Sequence, residues 1–379
     1  MGIPGGHAAG RGWGRAALPL RAARKRLSGA DSLPLSFLVF GAGAVGGLVG
    51  GALDAAGERV TFLVRPSAAE HIRANGISIS GAMGALSIPA PRLSTNLASA
   101  LADGRCDLVI LAVKSFHTAA AIKELQSASP QPPPVLCLQN GVDNETLLAK
   151  VFRAKNVIPG TVTTAVSSPQ PGAVVVERER GVGLAAGHPL SLQLLQAFSA
   201  AGFRTLLCPN ARAMKWSKLL TNLLANASAA ICDVSPAAVF AHDRLFHLEI
   251  AALREALAVM HGLRLPVVRL PGTPSHWLGF ALRRLPAWSY RSFLARKVAH
   301  GRGGKPPSLH LDLAAQRGRS EIEFLNGAVV RHAKALGLAA PVNAGLAQLL
   351  SEIVSGETPW EHYRVNPDRL ADRLLSGDF

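Results

Sequence analysis

Acidic residues are outnumbered in this chain: 24 Asp and Glu stand against 40 Lys and Arg, a formal charge of +16. Such a balance favours anionic partners (phosphates, carboxylates, nucleic acid or an anionic membrane surface) without choosing among them. Cysteine is scarce as well. Cys106, Cys137, Cys208 and Cys232 form no C-x-x-C pair, and no His stands at zinc-ligand spacing from them. That pattern reads as free thiols in a reducing compartment and argues against a metal site. A secretory leader core is missing, and so are internal repeats. Residues 1–34 hold Arg and Lys but a single acid, Asp31. The composition fits an organellar transit peptide or a basic tail outside the fold. The first reading implies a mitochondrion or chloroplast, the second the cytoplasm.

What is present in abundance is apolar sequence, 49% of 379 residues, enough for two domains. One run, FLVFGAGAVGGLVGGALDAAG from Phe37 to Gly57, carries one charge, Asp54. Its length would allow a membrane span, which needs about 20 apolar residues. The glycines argue otherwise. Gly41, Ala42, Gly43, Ala44, Val45 and Gly46 form G-x-G-x-x-G directly after a strand-like run and at the start of a helix-like one. In that register the first Gly permits the tight turn, the second lets backbone amides approach a pyrophosphate, and the third lets helix and strand pack closely.

Strand-like runs at 36–40, 59–65, 106–113, 134–140 and 156–163 alternate with helix-like stretches at 44–56, 117–126 and 144–151. Alternation of this kind predicts a parallel sheet covered on both faces. Residues 172–187 read as two short strands around a turn, an antiparallel edge. From about Ala211 helical period dominates, with candidate helices at 211–231, 245–263, 309–336 and 342–354. The expectation is an α/β chain: extension 1–34, a Rossmann-type doubly wound domain over 35–208, and an all-helical domain over 209–379. Arg65 ends the second strand, where a fold preferring NAD carries an acid for the ribose 2′-hydroxyl. A cation there pairs with a 2′-phosphate and argues for NADP(H).

The glycine motif, followed in order by LAVKSFHT, LQNGVDN, KWSKLLTNLLAN and SLHLDLAAQRGRSEIEFLNG, resembles the ketopantoate reductase (2-dehydropantoate 2-reductase) family over about residues 36–355. The resemblance implies an NADPH-dependent reductase of a 2-keto acid, with ketopantoate first and pantothenate synthesis as its setting. A reductase of another 2-oxo acid is the alternative, and a non-catalytic NADP-binding regulator a weaker one. Lys218, Asn222 and Asn226 recur at i, i+4 and i+8, along one face of a continuous helix. By spacing alone that polar stripe faces water or lines a site. The resemblance implies that Lys218 is the proton donor and that Asn222 and Asn226 bind substrate. It further implies that Glu321 contacts the cofactor ribose and, beside Lys218, orients the ammonium. Ser308 then holds substrate, Lys114 and Ala165 contact the cofactor, and Asn140 touches both ligands.

The sequence departs from the family pattern in three places. Pro236 stands where a further Asn is expected. The stretch before Ser308, with Arg283, Arg284, Arg296, Lys297, Arg302 and Lys305, is longer and more basic. Residues 1–34 have no counterpart. His117 and His310 read as structural or solvated. The partners expected are a small keto acid and a second copy in a homodimer, with no nucleic acid and no membrane.

Overall fold

The computed structural model describes residues 34–301, 306–316 and 318–375. The basic extension, Arg302 and Lys305 of the basic stretch, and the Lys297 side chain lie outside the described residues. Twelve strands are described: β1 (Ser36–Phe40), β2 (Arg59–Leu63), β3 (Ile77–Gly81), β4 (Leu86–Ile88), β5 (Arg92–Ser94), β6 (Leu108–Leu111), β7 (Val135–Cys137), β8 (Val157–Val162), β9 (Ala165–Gln170), β10 (Ala173–Arg178), β11 (Val182–Ala185) and β12 (Thr205–Cys208). Helices α1 (Ala44–Ala55), α2 (Pro66–Asn75), α3 (Leu97–Ala102), α4 (Thr118–Ala128), α5 (Asn144–Phe152) and α6 (Ser191–Ala200) connect them.

The main sheet runs β12-β11-β8-β7-β6-β1-β2-β5. From β5 to β8 its pairs are parallel, and the chain order reverses between β1 and β6. This is the doubly wound dinucleotide-binding order with two strands added beyond β8, and in such sheets ligands bind outside the strand ends where the order reverses. Alternation along β1 shows why the run 37–40 is apolar throughout. Phe37 and Val39 enter the core shared with α1 and α6, while Leu38 and Phe40 enter the one shared with α3, α4 and α5. The Phe37–Gly57 run is therefore strand, turn and helix. No described helix is long and apolar enough to cross a membrane.

Residues 172–187 differ from the expected edge hairpin. β10 pairs with β9 and β3 in a second, four-stranded sheet, whereas β11 lies inside the main sheet, antiparallel to β8 and parallel to β12. The switch between sheets occurs around Gly181 (φ 142°), where a Cβ would stand 2.1 Å from the Arg204 carbonyl oxygen. Only glycine tolerates that approach.

Beyond Cys208 every described element is helical. They are α7 (Ala211–Leu223), α8 (Ala227–Cys232), α9 (Pro236–Ala241), α10 (Asp243–Gly262), α11 (Ser275–Arg284), α12 (Ala287–Gly301), α13 (Ser308–Ala314), α14 (Asn326–Ala335), α15 (Pro341–Ser355) and α16 (Pro367–Leu375). They share one apolar core. Two expected helices are interrupted. The 211–231 stretch breaks at Leu224–Asn226, where Ala225 takes φ 43°. The 309–336 stretch divides into α13, a single 3₁₀ turn at Ile322–Phe324, and α14.

Candidate active site

The glycine turn has the form its spacing predicts. Gly41 takes φ 103°, which favours glycine. A Cβ on Gly46 would lie 2.0 Å from the Gly41 carbonyl oxygen and 3.0 Å from Val39, so the α1 start cannot approach β1 with any side chain there. Gly43, the N-cap of α1, is the opposite case: nothing lies within 4 Å of an added Cβ. The space in front of the α1 amides is open, and no acid occupies the first turn of α1. Unsatisfied amides, the positive helix end and a cradle that a side chain would fill together suit a pyrophosphate. Arg65 is exposed at the N-cap of α2, directly beyond β2. Burial, together with the charges of Arg65 and Arg319, holds His117 below the ordinary imidazole range. Ala165, half-buried, begins β9, which packs beside α1.

A hydrogen-bonded chain joins the halves where β6 and β7 end. Glu321 accepts from Lys114 Nζ at 2.8 Å and from the Ser115 backbone N–H at 3.1 Å. Ser115 Oγ sits 3.0 Å from Glu321 Oε1 and 2.9 Å from the Asn140 carbonyl. Asn140 Oδ1 in turn accepts from Asn222 Nδ2 at 3.1 Å. Lys114, Glu321, Asn140 and Asn222 therefore lie in one network. Glu321 is 2% exposed, and its carboxylate accepts from Lys114 and Ser115. Burial opposes the Lys114 charge, but Glu321 and Asp312, the latter at 3.1 Å, outweigh it and raise its pKa. Asp312 is pushed up by burial, with Lys114 pulling it back.

The polar stripe is bent. Lys218 and Asn222, both half-buried, stand one turn apart on α7 between the buried Leu219, Leu220 and Leu223. Asn226 is not on that helix; it follows the break and is 2% exposed. Its Nδ2 donates to Ser308 Oγ at 3.2 Å, and its Oδ1 accepts from the Leu309 N–H. Ser308 is the first residue of α13, after the N-cap Pro307. The buried Glu249 carboxylate holds the break by accepting from the Ala225 N–H at 2.8 Å and from Ser228 Oγ. A helix break needs its freed amides satisfied, and Glu249 does that from α10.

Sequence reasoning passed over Ser115, Asp312, Glu249 and Lys215. Lys215 is 4% exposed and buried against the sheet, with Nζ 2.6 Å from the Gln139 carbonyl, 3.2 Å from that of Gly160, and 2.7 Å from Glu145. Lys215 and Lys218 are three residues apart and so lie near the same side of α7. Spacing could not separate them; their surroundings do. His310 lies 2.6 Å from Asp233, and the His117 backbone N–H donates to the Lys114 carbonyl at 2.9 Å. No group of acids, His and Cys fit for a metal occurs among the described residues, and the four cysteines are free.

A family profile described as "Ketopantoate reductase PanE/ApbA" matches residues 37–187, and its C-terminal counterpart matches 210–354. This chain belongs to the ketopantoate reductase family. It is 30% identical over 326 residues to a 2-dehydropantoate 2-reductase of Halobacterium salinarum, covering 83% of this chain and 97% of the relative. It is 28% identical over 316 residues to one from Pyrococcus horikoshii, covering 82% and 94%. A crystal structure of a PanE/ApbA family ketopantoate reductase from Ralstonia eutropha superposes with a TM-score of 0.71 at 27% identity, covering 85% of this chain and 99% of that one. A D-mandelate dehydrogenase at 20% identity and TM-score 0.68 shares the fold. The family is one of pyridine-nucleotide oxidoreductases, and this chain is an oxidoreductase of it.

Proposed function

We propose that the protein reduces a 2-keto acid with NADPH, with 2-dehydropantoate as first substrate and another 2-oxo acid as the alternative. In this reading residues 35–208 bind the cofactor, 209–379 supply the substrate side, and the cytoplasm is the setting. The observation that carries it is the Glu321–Ser115–Asn140–Asn222 chain, which ties the strand ends to the α7 face bearing Lys218. The open cradle at Gly43 and the exposed Arg65 just past β2 favour a phosphate-rich cofactor with a 2′-phosphate.

Bound NADPH supplies the hydride for C2 of the keto acid. Lys218 supplies the proton to the alkoxide oxygen as it forms, and recovers one from solvent through its half-exposed side. Asn222 and Asn226 hold oxygens of the substrate, with Ser308 fixing the Asn226 amide. Asn140, locked by Ser115 and Asn144, fixes Asn222 and faces both ligands. Lys114, paired with Glu321, serves the ribose side, and Ala165 offers backbone. Orientation of two reactants by a network already formed removes much of the entropic barrier.

The test is loss of NADPH absorbance with 2-dehydropantoate and a panel of aliphatic and aromatic 2-oxo acids. Consumption dependent on one of them supports the reading; no consumption with any of them overturns it.

A further inference from the structure

Lys215, Lys218 and Asn222 recur on α7 at i, i+3 and i+7. At that spacing side chains share one stripe of a helix. The outer two are both bonded to one turn of the sheet half, residues 139–145 between β7 and α5. Lys215 Nζ stands 2.6 Å from the Gln139 carbonyl and 2.7 Å from the Glu145 carboxylate, at the two ends of that turn. It also lies 3.2 Å from the Gly160 carbonyl of β8. Asn222 Nδ2 donates to Asn140 Oδ1 at 3.1 Å. Helix α7 is therefore fastened to a single turn at two points about 10 Å apart along its axis. Lys218 stands between them.

The turn has little freedom of its own. Asn144 Nδ2 donates to the Asn140 carbonyl at 2.6 Å, and a Cβ on Gly141 would lie 3.0 Å from the Phe324 carbonyl oxygen. Lys215 is buried. Burial disfavours its charge, but Glu145 and Cys137 together outweigh burial and raise its pKa. Lys215 thus keeps its proton, which sets it apart from a proton donor.

We propose that Lys215 is a positioning residue for the reduction, setting the height and register of Lys218 over the turn that carries Asn140. The proposal rests on the catalytic reading above and adds a residue to that same site. Apolar side chains could hold α7 to the sheet as firmly, since a hydrophobic pair often replaces a buried ion pair without loss of stability. They would not fix register, because apolar burial is non-directional whereas a hydrogen bond weakens steeply away from its axis. One ammonium reaching acceptors on β8 and at both ends of the turn selects a single placement of the helix. Placement matters to the chemistry, because a misplacement of about 1 Å costs on the order of 10²-fold in rate.

The test removes the fastening without leaving a charge behind. Lys215→Met with Glu145→Gln deletes both ions together, so melting should recover much of what Lys215→Met alone loses. Lys215→Arg keeps the charge but carries a longer, planar head. It should stay folded by circular dichroism and still misplace the helix. Both variants are compared with the wild type by steady-state kinetics on a confirmed 2-oxo acid and by calorimetry with NADPH. The expected result is a kcat lower by roughly 10–10²-fold, with KM for the keto acid and NADPH affinity within about twofold. A role in folding alone would leave kcat per folded molecule unchanged. A kcat near that of the wild type in either variant, or a loss carried by KM alone, would overturn the proposal and leave the catalytic reading standing. A wild type inert with every 2-oxo acid would overturn both.

Discussion

In the sheet half, the polar groups nearest the site are locked to one another; in the helical half, they are released by breaks in helices. Ser115, Thr118, Gln139 and Asn144 are all buried, and they bond among themselves and to the backbone where β6 and β7 end. The nucleotide turn beside them uses glycine and backbone alone. Across the seam, Asn226 reaches Ser308 only because Ala225 leaves the helix, and Glu321 reaches Lys114 from a 3₁₀ turn between α13 and α14. One half supplies fixed geometry, the other supplies side chains freed by helix breaks. Lys215 joins the two.

Removing that joint should have the largest effect on stability. Lys215→Met strands Glu145 and two carbonyls in a buried site, and deleting one partner of a buried ion pair costs about 3–5 kcal/mol. Thermal unfolding of the variant should drop far more than that of Lys218→Met, whose side chain is half-buried. Equal losses would erase the distinction between the two lysines.

The glycine turn sharpens the comparison next. Gly46→Ala forces a Cβ against the Gly41 carbonyl and should destabilise the fold by roughly 1–3 kcal/mol or more, as overpacking does. Gly43→Ala has room in the free protein, so melting should hold while NADPH affinity in calorimetry falls. Unchanged affinity would remove the pyrophosphate from that cradle.

How much of this was legible follows from what each feature demands of sequence. The glycine turn was, because no other residue takes φ 103° freely or permits a 2.0 Å approach. The parallel sheet covered on both faces followed from apolar runs that alternate with helical stretches. The break at Ala225 was not: Leu224 and Ala225 are good helix formers, and the carboxylate that holds the break, Glu249, sits 24 residues later. Strands β3, β4 and β5 were missed because each is short and half polar. Glu321 was found through the family motif, but its partners lie about 206 positions away, so no local pattern could name them.

Smaller effects concern the rim. Asp143 joins the sheet half to Arg331 at 2.9 Å and His332 at 2.8 Å on α14. Burial pushes its carboxyl up, but those two partners outweigh burial and hold it below the usual range. A depressed folded pKa stabilises above the unfolded value, about 3.9, and that stability is lost as pH falls through the folded one. Asp143→Asn should therefore melt below the wild type at neutral pH, with the gap closing below about pH 4. A constant gap would assign the effect to packing. Least of all, Arg65→Ala should leave stability unchanged and weaken NADPH relative to NADH by about tenfold, the worth of one exposed charge-assisted contact. Equal use of both cofactors by the wild type would make Arg65 an ordinary surface charge.

The central claim is that the α7 face opposite the locked sheet end donates the proton through Lys218. Lys218→Ala should be measured by calorimetry with NADPH and by steady-state kinetics on a confirmed keto acid. The account predicts near-normal NADPH binding and turnover lower by roughly 10²–10⁴-fold, not restored by Lys218→Arg, whose guanidinium does not give up its proton. Near-normal turnover in Lys218→Ala would contradict it and return that side of α7 to a solvated face.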